Sequence, residues 1–182
     1  MQISLKRLNE DDLIRMMEWR MREDIAKNMF SEAKLTLEGQ YKWFEKIKDD
    51  PSQKRWIIYS DYAPIGSIYL VDIDAVNRRC ESGWFIAEKK YRSLELSVFL
   101  QWNMFDFAFE ILKLNRVYGY IIDTNKELVR LLKYCGYVQE GILSQYVCKA
   151  GCFHDVYLTA ITKEIWYKKK ANLQYDRFDI EE

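Results

Sequence analysis

One stretch of the sequence decides the fold, and it runs from residue 81 to residue 141: ESGWFIAEKKYRSLELSVFLQWNMFDFAFEILKLNRVYGYIIDTNKELVRLLKYCGYVQEG. Its pattern predicts, in order, a strand at 80–86, a basic turn at 89–92, a long helix at 94–112, a strand at 116–122 and a shorter helix at 125–134. A strand that enters a helix through a basic turn presents unpaired backbone N–H groups and the positive end of the helix dipole. The stretch therefore predicts a site for an anion such as a pyrophosphate.

The composition is that of one ordinary globular domain without a charge bias. The chain has 182 residues, of which 49% are hydrophobic and 31% charged, and 28 basic residues balance 28 acidic ones. A general nucleic-acid binder would carry a basic excess. The N-terminus is charged, and no run approaches the roughly 18 apolar residues of a membrane span. We therefore expect a cytoplasmic protein that binds neither nucleic acid nor membrane.

The four cysteines are expected to be reduced packing residues. Cys80 and Cys135 lie in predicted core elements, and Cys148 and Cys152 are four residues apart without forming a C-x-x-C pair. Because the chain contains a single histidine, His154, which we interpret as a hairpin residue, a zinc site would lack its usual partners. No metal site is predicted.

The segments on either side of the central stretch complete one domain. Alternation predicts a first strand at 2–8, and Asn9 and Thr36 are predicted to begin two helices. Further strands are predicted at 56–59, 65–71, 142–148 and 155–161. Strands in series, then a β-α-β-α unit, then a hairpin imply an α+β domain with three layers, α/β/α, around a mixed sheet. We predict one domain at 1–165, followed by a charged and solvated tail at 166–182.

The segment NKELVRLLKYCGYVQEG, residues 125–141, carries a resemblance to a known family. It is similar to the last helix and following strand of GNAT-type acetyltransferases, which carry an acetyl group from acetyl-CoA to an amine. The spacing from Asn125 to Gly136-Tyr137 and to Glu140-Gly141 is the specific part of the match. The resemblance covers about residues 2–162 and implies a mostly antiparallel sheet flanked by helices, with acetyl-CoA as the co-substrate.

Finer features resemble two branches of that family. The opening L-K-R-L with the later Trp19-Arg20 looks like the branch of the ribosomal-protein alanine acetyltransferases, which implies an N-terminal peptide as acceptor. Arg20 with Met29, the Trp43-Phe44 pair and the ending at 141–156 are similar to the amino-sugar-nucleotide N-acetyltransferases of pseudaminic acid synthesis. That branch implies transfer to the 4-amino group of a UDP-linked 4-amino-4,6-dideoxy sugar. A degenerate GNAT fold that binds without catalysis is a third hypothesis, and a homodimer stays open.

The resemblance also implies where acetyl-CoA is held. The strand residues Trp84, Phe85 and Ile86 would pair with the pantetheine arm. The loop and first helical turn would wrap the pyrophosphate, together with Asn125; the residues concerned are Tyr91, Arg92, Leu94, Glu95, Leu96 and Ser97. The loop departs from the family pattern, because Ser93 and Glu95 replace the customary glycines, which let a backbone approach phosphate closely. A Glu95 carboxylate would repel a pyrophosphate unless its side chain points outward.

Transfer to an amine needs a base and a proton donor for the departing thiolate. Glu81 is the best candidate for the base; the alternative is an outward strand residue paired with a lysine or arginine. Many family members carry a tyrosine seven residues after the equivalent of Asn125, where this chain has Leu132. Tyr134 does not share that helix face and is interpreted as packing. Water, or the hydroxyl of Tyr120, would then supply the proton.

The acceptor would lie in a groove over the sheet. Arg20 can hold a diphosphate with two hydrogen bonds. Met29 and Trp43 either flank a nucleotide base or a 6-deoxy methyl group, or pack in the core. Tyr69 is assigned to the catalytic set, and Gln40 and Asp72 complete the predicted substrate-binding set.

Overall fold

A computed structural model describes residues 2–30 and 34–182, which form a single eight-stranded sheet with helices on both faces. The strands are β1 (Ile3–Arg7), β2 (Lys54–Ser60), β3 (Ala63–Asp74), β4 (Arg79–Ile86), β5 (Arg116–Ile122), β6 (Val138–Lys149), β7 (Cys152–Thr162) and β8 (Asp179–Ile180). They are ordered β6-β7-β5-β4-β3-β2-β1-β8. In the described part of the chain, β4 with β5 and β1 with β8 are parallel and the other neighbours antiparallel. The predicted mixed, mostly antiparallel sheet is confirmed.

The helices begin and end where capping residues allow. They are α1 (Leu13–Met21), α2 (Glu23–Ala26), α3 (Leu37–Ile47), α4 (Leu94–Asp106), α5 (Lys126–Cys135) and α6 (Lys163–Lys170). Asn9 forms a capping box with the 3₁₀ turn Glu10–Asp12 that leads into α1, and Thr36 caps α3. Gly136 ends α5 in a left-handed conformation at φ 111°, which glycine adopts without steric cost. The helix predicted at 94–112 is α4 extended by a π-helical turn, Phe107–Ile111.

Side chains of the inner strands alternate between two cores, which makes the domain three layers thick. In β2, Trp56 and Ile58 are buried with α4 on one side of the sheet, the α4 face. Ile57 lies between them in sequence and packs on the other side with Met16 and Trp19 of α1. We call that side the α1–α3 face. No helix in the ranges 2–30 and 34–182 is long and apolar enough to cross a membrane.

The C-terminal segment is packed on the domain, so the expectation of a solvated tail is wrong. Trp166 of α6 is fully buried, and β8 extends the sheet by pairing with β1. The physical reason is Asp106, a carboxylate at the end of α4 that is only 3% exposed and needs partners. The tail supplies them, through the Trp166 indole N–H at 3.0 Å, the Lys170 ammonium at 2.6 Å, the Tyr175 hydroxyl and the Arg177 guanidinium.

The sheet opens between its two central parallel strands. β4 and β5 pair over three positions, ending at Glu81 and Tyr118. Beyond that point β4 stays paired with β3 as far as Ile86, and β5 stays paired with β7 as far as Ile122. The two strands therefore diverge, and a V-shaped gap lies between residues 82–86 and 119–122.

Candidate active site

A cavity of about 730 Å³ fills the gap between β4 and β5. Its walls are the separated ends of the two strands, the first turn of α4, one side of α5 and the segment at 24–29. The predicted residues Trp84, Phe85, Ile86 and Asn125 all line it. The unpaired edges of diverging strands offer N–H and C=O groups to an extended ligand, which can add to the sheet as a strand does.

The N-terminus of α4 offers free backbone amides at one end of the cavity. Ser93 caps the helix, its hydroxyl accepting the Leu96 N–H at 3.1 Å, and the Ser97 N–H donates to the Ser93 carbonyl at 3.2 Å. The amides of Leu94 and Glu95 belong to the first turn and have no acceptor within the helix. Together with the helix dipole they form a site for an anion.

The residues that replace the customary glycines fit this turn without strain. Ser93 adopts φ −126° and ψ 155°, an extended conformation open to any residue, so a glycine is not required there. The side chain of Glu95 is exposed, and Glu95 is not among the described residues that line the cavity, whereas Ser93, Leu94 and Ser97 are. The Glu95 carboxylate is therefore exposed to solvent, and the cavity wall at this turn is formed by Ser93, Leu94 and Ser97.

The Arg92 side chain has a structural role at the edge of the cavity, and the pyrophosphate contact predicted for this loop residue stays a prediction. Its guanidinium donates to the carbonyls of Ile86 at 2.8 Å and Ala87 at 3.0 Å and to the Asp24 carboxylate at 2.6 Å. Arg22 binds the same carboxylate, and the two guanidinium groups hold the pKa of Asp24 well below its ordinary value. The backbone N–H of Arg92 donates to the Lys89 carbonyl, and in the same 3₁₀ turn the N–H of Tyr91 donates to the Glu88 carbonyl. These bonds fix α2 against the end of β4.

The α1–α3 face of the cavity carries the predicted catalytic side chains. Tyr69, Glu81 and Tyr120 line the cavity together. Burial and the neighbouring Asp72 raise the pKa of Glu81, and Arg55 opposes this. Burial and Glu81 raise the pKa of Tyr120 and of Tyr69, so both hydroxyls keep their protons at neutral pH. Glu81 forms no ion pair with a lysine or arginine at 2–30 or 34–182, which is the alternative the sequence left open.

Tyr69 is held in place by a stack that the sequence did not reveal. The Arg55 guanidinium lies 4.9 Å from the centre of the Tyr69 ring and 5.2 Å from that of Trp43. On the other side, Tyr69 pairs with Gly83 across the sheet, and a Cβ atom at Gly83 would collide with the Tyr69 hydroxyl. Gly83 is thus required because the aromatic ring lies over its backbone.

We expect Gly83→Ala to displace the Tyr69 ring and to lower kcat/KM for the acceptor about tenfold, since a misplaced group near the reacting atoms costs at least this much. Steady-state kinetics with saturating acetyl-CoA measure the effect. Gly141→Ala is the matched control, because no atom lies within 4 Å of a Cβ at that position. Equal kinetics for the two alanine variants would contradict the role assigned to Gly83.

The other predicted residues are distributed around this cavity. Leu132 is buried and lines it. Tyr134, interpreted from the sequence as a packing residue, is 58% exposed and also lines the cavity, while its ring stacks on Trp102 with centres 6.4 Å apart. Met29 lines the mouth. The remaining four predicted substrate-binding residues do not line this cavity. Arg20 lies in the last turn of α1, Gln40 is buried on α3, Trp43 also lies on α3, and Asp72 lies in a separate shallow hollow.

Lys149 ties the β6–β7 hairpin to the segment that carries Met29. Its ammonium donates to the carbonyls of Ala26 at 3.0 Å, Lys27 at 2.8 Å and Met29 at 2.8 Å, which uses all three of its protons. The contact spans about 120 residues of sequence, and no local pattern marks Lys149 for this role. It holds one wall of the cavity in position.

Replacing Lys149 with methionine, which keeps the length of the side chain, is expected to free this wall. Because three charge-assisted hydrogen bonds are lost, amide hydrogen exchange at 26–30 should become at least about tenfold faster. Lys168→Met is the control, since Lys168 pairs only with Glu164 and both side chains are 76% exposed. Unchanged exchange at 26–30 would show that the wall is held by other contacts.

The geometry fits one class of ligand. A free helix N-terminus can accept a pyrophosphate, and opened strand edges can accept a linear arm that carries amide groups. Gln101 lines the same cavity, and its enclosed Nε2 atom has no hydrogen-bond partner within the described ranges. These features fit coenzyme A and define a CoA-dependent acyltransferase. Within the described residues, no group of three His, Cys, Asp or Glu side chains could hold a metal ion.

Comparison with known proteins gives the family. Residues 2–138 match the family model described as an acetyltransferase (GNAT) domain. The spermidine N(1)-acetyltransferase of Vibrio cholerae is 24% identical over 156 residues, 85% of this chain and 90% of that protein. The acetyltransferase PseH of Campylobacter jejuni is 27% identical over 125 residues, 68% of this chain and 75% of that protein.

A solved structure shows the same fold. The Vibrio cholerae spermidine N-acetyltransferase in complex with CoA and spermine superposes with a TM-score of 0.85 at 23% identity, over 91% of this chain and 98% of that one. The chain belongs to the GNAT acetyltransferase family. It is an N-acetyltransferase that uses acetyl-CoA as its acetyl donor.

Proposed function

We propose that the chain transfers an acetyl group to the 4-amino group of a UDP-linked 4-amino-4,6-dideoxy sugar, as in pseudaminic acid synthesis. One observation carries this choice of acceptor: the Arg55 guanidinium lies 4.9 Å from the centre of the Tyr69 ring, and Arg20, in the last turn of α1, is close enough to act electrostatically on both. At 2–30 and 34–182 neither forms an ion pair with a carboxylate; the Arg55 side chain donates only to the Gln53 amide oxygen. Two unpaired guanidinium groups favour an acceptor that carries a diphosphate.

The same charges argue against a polyamine as the acceptor. A polyamine carries several positive charges, which Arg20 and Arg55 would repel, especially since burial weakens the screening of Arg55 by water. The Trp43 ring on the far side of Arg55 is a flat surface that suits a nucleotide base. Similarity to PseH of Campylobacter jejuni also supports the amino-sugar route.

The side chains have separate tasks in this reaction. Acetyl-CoA supplies the activated acetyl group. Glu81 accepts the proton that the acceptor amine loses, and its raised pKa makes it a stronger base than an exposed carboxylate. The Tyr120 hydroxyl is protonated at neutral pH and can donate its proton to the CoA thiolate that leaves when the C–S bond breaks. Tyr69, fixed by Arg55 and Gly83, orients the acceptor beside Glu81.

Transfer is direct, without an acyl-enzyme. Burial raises the pKa of Cys80 and of Cys135 to about 12, so neither forms the thiolate that acts as a nucleophile. Cys148 and Cys152 are exposed on the β6–β7 hairpin and do not line the cavity within the described residues.

Thiol release from acetyl-CoA in the presence of the UDP-amino sugar, spermidine or an alanine-initiated peptide tests the proposal. We expect thiol release with the sugar nucleotide and not with spermidine or the peptide. Arg20→Gln should raise KM for the sugar nucleotide about tenfold or more, since a charge-assisted contact to phosphate is lost. Lys42→Gln, at an exposed pair on α3, is the control.

The other outcomes separate the competing hypotheses. Release with spermidine or the peptide and not with the sugar would overturn the proposed acceptor and leave the enzyme class intact. Failure of the protein to bind CoA would indicate a fold without catalysis. The sequence left a homodimer open, and sedimentation analysis tests it; a dodecameric structure is known for the Vibrio cholerae relative.

A further inference from the structure

Gln101 is a buried polar side chain with an unused hydrogen-bond donor on the cavity wall. The residue is only 1% exposed, and its Nε2 atom has no hydrogen-bond partner among the described residues. Its Oε1 atom accepts a long bond of 3.4 Å from the Tyr137 hydroxyl, which is also buried. A buried donor without a partner costs free energy, so it calls for an explanation such as a bound molecule or an ordered water.

The position of Gln101 along α4 places it deeper than the anion site. Ser93, Ser97 and Gln101 are spaced four residues apart, so they lie on one face of α4, and all three line the cavity. A helix rises 1.5 Å per residue, which puts Gln101 about 12 Å from the capping Ser93. A ligand whose phosphates sit at the first turn must therefore pass Gln101 with its linear part.

Part of the cavity that Gln101 lines is apolar, and its polar neighbour, the Tyr137 hydroxyl, already bonds the Oε1 atom. Leu131, Leu132 and Ile121 line the cavity with it and bring no hydrogen-bonding side chain. A hydrogen bond in such an environment is stronger than one in water. An amide N–H₂ group there is suited to a carbonyl oxygen, the acceptor that a pantetheine arm carries on both of its amides.

We propose that the Gln101 Nε2 group donates a hydrogen bond to a carbonyl of the pantetheine arm, and so binds the part of CoA beyond the pyrophosphate. Gln101 is then a binding residue of this N-acetyltransferase that selects a pantetheine-bearing ligand over a nucleotide alone. The inference concerns the acetyl donor and does not depend on which amine is acetylated.

Calorimetric titration of CoA and of 3′,5′-ADP, which lacks the arm, tests this without any acceptor or turnover. Gln101→Met keeps the length of the side chain and removes the donor. We expect the Kd for CoA to rise about tenfold and the Kd for 3′,5′-ADP to stay within about twofold. Gln139→Met makes the same chemical change on the exposed strand β6 and should alter neither.

Two results would overturn the proposal. An unchanged Kd for CoA would mean that Nε2 is satisfied in another way, for example by a buried water. An equal loss for both ligands would mean that α4 has moved. Should Gln101→Met fail to fold, the wild-type protein still gives an answer. The side-chain amide resonances of Gln101 should shift when CoA is added and not when 3′,5′-ADP is added. The absence of a shift with CoA counts against the proposal.

Discussion

Replacing Asp106 with alanine is expected to lower the free energy of unfolding by about 3 kcal/mol, because four groups lose a buried acceptor at once, although Lys170 and Arg177 still pair with Glu110. The carboxylate is 3% exposed and binds both Lys170 and Arg177, whose charges would then have lost their buried partner. The Trp166 indole and the Tyr175 hydroxyl would also lose their acceptor. Urea unfolding followed by tryptophan fluorescence measures the loss, which corresponds to roughly 10 °C in Tm for a chain of this size.

The effect should be specific to the buried cluster. Glu164→Ala removes a carboxylate from an exposed pair on α6 and should change the free energy of unfolding by less than about 0.5 kcal/mol. A loss as small as this for Asp106→Ala would show that the tail adds little to the stability of the domain. Binding of CoA at the other end of α4 should survive in the fraction that stays folded.

Local chemistry made most of the fold predictable. Asn9, Thr36 and Asn125 each cap a helix or helical turn that begins at the next residue, because the capping bond joins atoms within three residues of one another. Gly136 ends α5 for an equally local reason, its positive φ. The strands β4 and β5 were predicted from the sequence pattern of the segments between turns. The structure places both strands within a residue of the predicted bounds.

Distant contacts were not predictable in this way. Lys168, Lys169 and Lys170 look like a solvated end in the sequence, yet Lys170 is drawn to Asp106, 64 residues away. Charge alone does not distinguish an exposed lysine from one that binds a buried carboxylate. The helix α2 has only four residues, and its position depends on Arg92 and Lys149, so no periodic pattern marks it.

The same difference between local and distant contacts applies to the candidate site. The positions of the first turn of α4 and of the edge of β4 were predictable because backbone geometry follows from the order of elements; that their backbone groups bind CoA stays a prediction. Side-chain roles were harder to predict. The Arg92 guanidinium donates to backbone carbonyl groups, and Arg55 and Gln101 lie in the interior of a strand and of a helix. Tyr137 had a weak signal, since it follows Gly136 in the motif that carried the family resemblance.

Glu81→Gln is expected to lower kcat/KM by about 10² to 10³, the range that a positioned general base contributes. The amide keeps the shape of the side chain and cannot accept the proton of the amine. Because burial and Asp72 raise the pKa of Glu81, the activity it supports should fall as the pH drops through a value above the ordinary 4.5. The base works in its ionised form, so a raised pKa moves this acidic limb of the pH–rate profile upward.

The variant separates a chemical role from a structural one through that profile. In Glu81→Gln the limb that belongs to Glu81 should disappear, and only the titration of the acceptor amine should remain. Glu140→Gln is the matched control: Arg116 binds Glu140 outside the cavity and lowers its pKa, so its loss should leave the limb in place. CoA binding measured by calorimetry should be unchanged in both variants, because the anion site lies at the first turn of α4. If Glu81→Gln keeps more than about a third of kcat/KM with an unaltered limb, the amine loses its proton to water, and Glu81 serves only to fill the junction of β4 and β5.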